Sequence, residues 1–100
     1  MGKTYYSDYV GHMMRQYGRL YGSDELSQTD MPTEQNVIVC GAILDRLPDG
    51  ERDIVKEVYT GKVIGEKINE IAECRGIRPQ NIWAIVKNFE RDIAKERGLL

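Results

Sequence analysis

The stretch Cys74-Arg75-Gly76-Ile77-Arg78-Pro79 constrains the fold more than any other part of the chain. Helical spacing runs up to it and resumes directly after it. Ile68, Ile71 and Ala72 place a helix over about Ile64 to Arg75. Ile82, Ile85, Val86, Phe89 and Ile93 mark one face of a second helix, from Pro79 to about Arg97. Gly76 suits the left-handed position that ends a helix, and Pro79 suits the first turn of the next. Two helices joined by a tight glycine-containing turn form a helix-turn-helix. Ala72 is small enough to sit where the two would cross, and Ile77 returns to the core after the turn.

Three more helices are expected upstream. Tyr6, Tyr9, Val10, Met13, Met14, Tyr17, Leu20 and Tyr21 recur on one face behind Ser7, a plausible N-cap, and Gly22 stops that helix. Gly22 to Pro32 is polar and acidic and reads as a loop. A second helix is expected from about Thr33, as its cap, to Leu47, with Val37, Cys40, Ile43, Leu44 and Leu47 apolar. Pro48-Asp49-Gly50 breaks it, and Asp49 is placed to cap a third helix over about Glu51 to Tyr59, which buries Ile54, Val55, Val58 and Tyr59. No segment reads as a strand. The expected fold is therefore all-α: a small helical domain with a C-terminal helix-turn-helix, no wing, and an N-terminal helical extension. The division expected is 1–46 for the extension and 47–100 for the DNA-binding unit.

Charge narrows the choice of partner. The 100 residues carry a net charge of −2, which by itself argues against nucleic acid. Its distribution does not. Residues 1–50 hold four basic side chains against seven acidic, whereas residues 75–97 hold six (Arg75, Arg78, Lys87, Arg91, Lys95, Arg97) against three. That is a thin but local basic footprint. Projecting the last helix at 100° per residue puts Gln80, Ala84, Lys87 and Arg91 opposite the apolar stripe, with Trp83 and Asn88 on the flanks. Gln80, Asn81 and Ala84 are the candidates for base contact, since Gln and Asn can bond adenine and Ala can touch a thymine methyl. Arg75, Arg78, Lys87, Asn88 and Arg91 are the candidates for backbone contact.

The resemblance that these residues carry is to the last region, region four, of bacterial sigma factors. Leu47-Pro48-Asp49-Gly50-Glu51-Arg52 is similar to that region's leucine-proline-x-x-glutamate-arginine opening. Glu70-Ile71-Ala72, then Gly76-Ile77, then Ile82 and Ile85 resemble its helix-turn-helix. The likeness covers a little over half the chain. It departs at Arg75, where an apolar residue is common, and at Arg78, where a serine or threonine is usual. The span from Glu51 to Glu70 is also a few residues long for the family. Pro79, Gln80 and Ala84 replace the arginine, glutamate and glutamine with which housekeeping members read promoters, so their promoter sequence is not implied. The chain as a whole looks like small sigma-like regulators of phages and mobile elements. That resemblance implies a transcription regulator binding double-stranded DNA with RNA polymerase.

The N-terminal tyrosine and methionine stripe reads first as core. Tyr9, Met13 and Tyr17, with Trp83, are the candidates for a partner surface, either in a homodimer or against a polymerase subunit. The alternative to a DNA reader is a helical protein–protein interaction module that has kept the fold without DNA binding. Catalysis is not expected: no nucleophile stands at a plausible spacing from a base, and no phosphate loop or metal motif occurs. No metal or cofactor is expected either. His12 lies off the apolar stripe, and Cys40 and Cys74 read as buried, reduced thiols. No apolar run approaches the roughly 20 residues that span a bilayer. The amino terminus lacks the apolar core of a signal peptide, so no membrane partner and a cytoplasmic location are expected.

Overall fold

Asp30 marks the point where the second helix begins, three residues before the expected cap. Its carboxylate accepts the Thr33 amide at 3.0 Å, and the Thr33 hydroxyl together with that amide holds it below the ordinary carboxylate range, while Pro32 occupies a first-turn position that needs no N–H. The computed structural model describes residues 6–99, and every element in it is helical. The helices are α1 (Ser7–Leu20), α2 (Met31–Asp45), α3 (Asp49–Val58), α4 (Ile64–Arg75) and α5 (Pro79–Glu96). A short 3-10 helix, Asp24–Gln28, lies within the stretch expected as a plain loop, with the Ser23 hydroxyl accepting the Glu25 amide. No strand occurs among the described residues, and no helix there is long and apolar enough to cross a membrane.

Two other expected caps are displaced by one residue. Tyr6, not Ser7, precedes α1, because the Tyr6 backbone is already helical and its carbonyl accepts the Val10 amide. Likewise Pro48 precedes α3 and its carbonyl takes the Arg52 amide, which leaves Asp49 inside the helix. At the end of α2 the amides of Arg46 and Leu47 turn back to Ile43 and Leu44, so the helix stops at Asp45 rather than Leu47.

The core has two parts. In the first, Tyr6, Val10, Met13 and Met14 of α1 meet Cys40, Ile43 and Leu44 of α2 and Val55 of α3. Phe89, Ile93 and Ala94 from the end of α5 complete it. In the second, Ile54 and Val58 of α3, Ile68, Ile71 and Ala72 of α4 and Ile82 and Val86 of α5 pack together. Tyr59 and Ile85 touch both. Thus the first half of α5 sits with α3 and α4, and its second half lies beneath α1 and α2. Met13 is fully buried, so it belongs to this core and offers nothing to a partner.

A polar clasp holds the far end of α5. Arg97 donates through Nε to the Asn36 Oδ1 at 3.0 Å and through Nη1 to Gln35 at 3.1 Å. Asn36 is itself buried and donates to Gln16 of α1 at 3.0 Å. Beyond it, Gly98 takes a φ of 72° and Leu99 donates its amide to Ala94 at 2.7 Å, folding back onto the first core.

Gly18 lies inside α1, exposed, with nothing within 4 Å of where a Cβ would stand. Glycine there costs backbone entropy and gains no packing. Gly18→Ala is expected to stabilise the fold by about 0.5–1 kcal/mol. Urea unfolding checks it, and a neutral or destabilising result would mean that α1 is frayed at that turn.

Candidate nucleic-acid interface

The local chemistry that joins α4 to α5 is explicit. Gly76 adopts a φ of 67°, where a side chain is disfavoured, and donates its amide to the Ala72 carbonyl. Ile77 donates to the same carbonyl at 3.1 Å and packs on the second core. This is the hydrogen bonding, with its apolar contact, by which a left-handed glycine closes a helix. Arg78 follows in extended conformation and supplies no side-chain cap; Pro79 opens α5 without an amide to satisfy.

This connection fixes which face of α5 points outward. Ile82, Val86, Phe89 and Ile93 are buried. Gln80, Asn81, Ala84, Asn88 and Arg91 are exposed. Among the described residues, the side chains of Arg78, Gln80, Asn81, Asn88 and Arg91 make no hydrogen bond or ion pair. Five of the expected contact residues on α5 therefore share one open surface, with Arg78 at its N-terminal edge.

The remaining candidates are placed differently. Arg75 is exposed, but its guanidinium pairs with Glu57 of α3 at 2.9 Å. Lys87 was expected on the open face and is instead turned inward. Its side chain is 18% exposed, its ammonium lies 3.5 Å from the buried Glu90 and 5.8 Å from the centre of the Trp83 ring. The reason is tertiary: α1 and the residues between α3 and α4 cover that side of α5, so the free half of the helix is narrower than a wheel projection allows. Trp83 is half-buried on the same covered side and packs against the second core. On α1, Tyr9 is partly exposed and donates weakly to Asn36 at 3.4 Å, whereas Tyr17 is half-buried beside the Tyr21 ring, with burial pushing its hydroxyl pKa up.

Some functional and structural roles had no sequence signal. Glu90 looks like one more surface carboxylate on α5, yet it is 2% exposed. Arg52 looks like part of a motif, and its use is mechanical. It donates to the carbonyls of Leu44 and Leu47, each at 3.1 Å, closing the end of α2 onto α3. Cys40 is buried, and desolvation raises its thiol to about 12, so it is unreactive at neutral pH. Cys74 is exposed on the outer side of α4, contrary to the expectation that both thiols are buried. His12 is exposed beside Tyr9. No group of three or more metal-ligating side chains occurs among the described residues.

Comparison of the chain with protein-family models, with curated proteins and with solved structures finds no match.

Proposed function

We propose that this chain is a sequence-specific reader of double-stranded DNA that acts in transcription. On this reading it is a sigma-like regulator working with RNA polymerase at a phage or mobile-element promoter. The observation that carries the reading is the open face of α5. Gln80, Asn81 and Ala84 lie in its first two turns, exposed and uncommitted, next to Arg78 and in line with Asn88 and Arg91. A helix entering the major groove by its N-terminal half meets base edges with residues so placed. Two amides and a methyl-bearing side chain offer the donors, acceptors and apolar contact that distinguish adenine and thymine. The sigma-like part of the reading rests on the resemblance of Leu47–Arg52 and of Glu70–Ile85 to region four.

The electrostatic share is small. Lys87 is left out of the contact set, because Glu90 and Trp83 already engage it. Arg78 and Arg91 are available at once, and Arg75 on release from Glu57. Three phosphate contacts give a salt slope of about −2.7, at about −0.9 per contact.

The test is selection of the purified protein against a random pool of DNA duplexes, sequenced after enrichment at low and moderate salt. One enriched motif is expected, and a palindrome with one-turn spacing would reveal a dimer. Arg91→Ala should weaken binding to every sequence and reduce the salt slope by about one. Gln80→Ala should relax preference at one base position, and Lys87→Ala should leave the slope unchanged. No enrichment at either salt would favour the second reading, a helical interaction module. That reading has its own observation: Met31 and Ile38 stand exposed on α2.

A further inference from the structure

Where α1 and the α3–α4 connection cover α5, they do not close completely. They leave a cleft of about 300 Å³, at the small end of the range for sites that take small molecules. Trp83 and Val86 give it an apolar side, and Gly11, Gly61 and Gly65 line it without side chains. The indole is close to that backbone: a Cβ built on Gly65 would lie 3.8 Å from its Cζ2. The half-buried indole, with Gly65 packed against its edge, is thus one wall of the cleft.

The polar groups in the cleft are unbalanced. Tyr59 borders the cleft, but its hydroxyl is buried without a hydrogen-bond partner and is closed to an occupant. Arg15 and Lys62 line the same cleft from exposed positions, and neither makes an ion pair among the described residues. The carboxylates in the lining are already engaged. Glu90 pairs with Lys87, and Asp8 also has a partner. Two cations therefore stand open beside an aromatic wall, with no open carboxylate against them.

We infer that this cleft binds a compact aromatic carboxylate. Its carboxylate pairs with Arg15 and Lys62, and its ring lies along Trp83. The site stands apart from the open face of α5 and does not depend on the DNA-reading proposal. Because it lies between α1 and α5, an occupant ties the N-terminal helix to the candidate reading helix and raises the thermal midpoint.

Trp83 is the single tryptophan of the chain, so the site carries its own reporter. The experiment titrates the full chain with 4-hydroxybenzoate, and with neutral 4-hydroxybenzamide as the matched control. It follows Trp83 fluorescence and the one indole N–H resonance. A saturable change is expected with the carboxylate, with the amide at least about tenfold weaker, the factor that one lost charge-assisted contact commands. Arg15→Gln and Lys62→Gln should each weaken the carboxylate severalfold and leave the amide unaffected. Circular dichroism verifies that each variant is folded, and Arg15 and Lys62, being exposed, give variants that keep the core intact. Three results would overturn the inference: no saturable shift of the indole resonance, equal affinity for acid and amide, or carboxylate binding indifferent to both cations. None of these readouts involves DNA, so failure here and failure of the DNA-reading proposal are separate results.

Discussion

Phe89→Ala should lower the free energy of unfolding by about 3–5 kcal/mol. Phe89 is the largest of the fully buried side chains. It stands where α5 passes beneath α1 and α2, within the first part of the core, and its ring tilts against Tyr59 at 6.1 Å between centroids. Truncation removes the ring's burial, leaves a cavity among groups from four helices and forfeits the aromatic pair, itself worth about 0.5–1.5 kcal/mol. For a domain whose total stability is expected at about 5–15 kcal/mol, that is a large share. Phe89→Leu, which keeps most of the volume, should cost less than half as much. Urea unfolding followed by far-ultraviolet circular dichroism and by Trp83 fluorescence gives the measurement. Because α5 runs through both parts of the core, the two signals should move together. A loss below about 1 kcal/mol would mean that the contact between α5 and the N-terminal helices contributes little to the fold.

Arg52→Ala is the second large effect, at about 2–3 kcal/mol. The last carbonyls of a helix lack partners within it. Arg52 reaches across from α3 and donates Nε to Leu44 and Nη2 to Leu47, both part-buried bonds at 3.1 Å. Its third contact, with Asp49 at 3.1 Å, involves a carboxylate that is 93% exposed and adds little. The three groups can be separated by mutation. Asp49→Ala should change stability by less than about 0.5 kcal/mol. Arg52→Lys should recover less than half of the loss, because one ammonium on a flexible stem cannot reproduce a rigid fork that spans two carbonyls. If Lys proved as good as Arg, charge at the end of α2 rather than the paired bonds would be the operative term.

The Leu-Pro-Asp-Gly-Glu-Arg run thus has a physical reading beyond resemblance. Proline ends one helix and begins the next, and the arginine four positions on closes the joint. Its place was visible in the chain; its function required knowing where the Leu44 and Leu47 carbonyls point. The misplaced caps have a similar origin. Asp30, Thr33, Ser7 and Asp49 are all credible cap residues, and single-residue choices among them are decided by which backbone amides the folded chain leaves open.

The candidate reading face divides along the same line. Gln80, Asn81, Ala84, Asn88 and Arg91 were legible because they oppose a five-residue apolar stripe on a helix whose start is marked by Gly76 and Pro79. Lys87 was not. A wheel projection gives each helix one buried and one open side, and it is silent about a neighbour that covers part of the open one. Glu90 was missed for that reason too, since carboxylates are ordinarily at the surface.

By itself the sequence determined the helices: five periodic apolar stripes, a left-handed glycine at Gly76, and prolines at positions where a helix begins. These are local matters, governed by 3.6-residue periodicity and by backbone conformations that only certain residues tolerate. The tertiary structure alone decided that the second half of α5 lies under α1 and α2, that Lys87 turns inward to Glu90, and that a cleft remains beside Trp83. Those outcomes depend on how helices far apart in the chain fill one another's surfaces, and close packing between distant elements leaves no periodic mark in the chain.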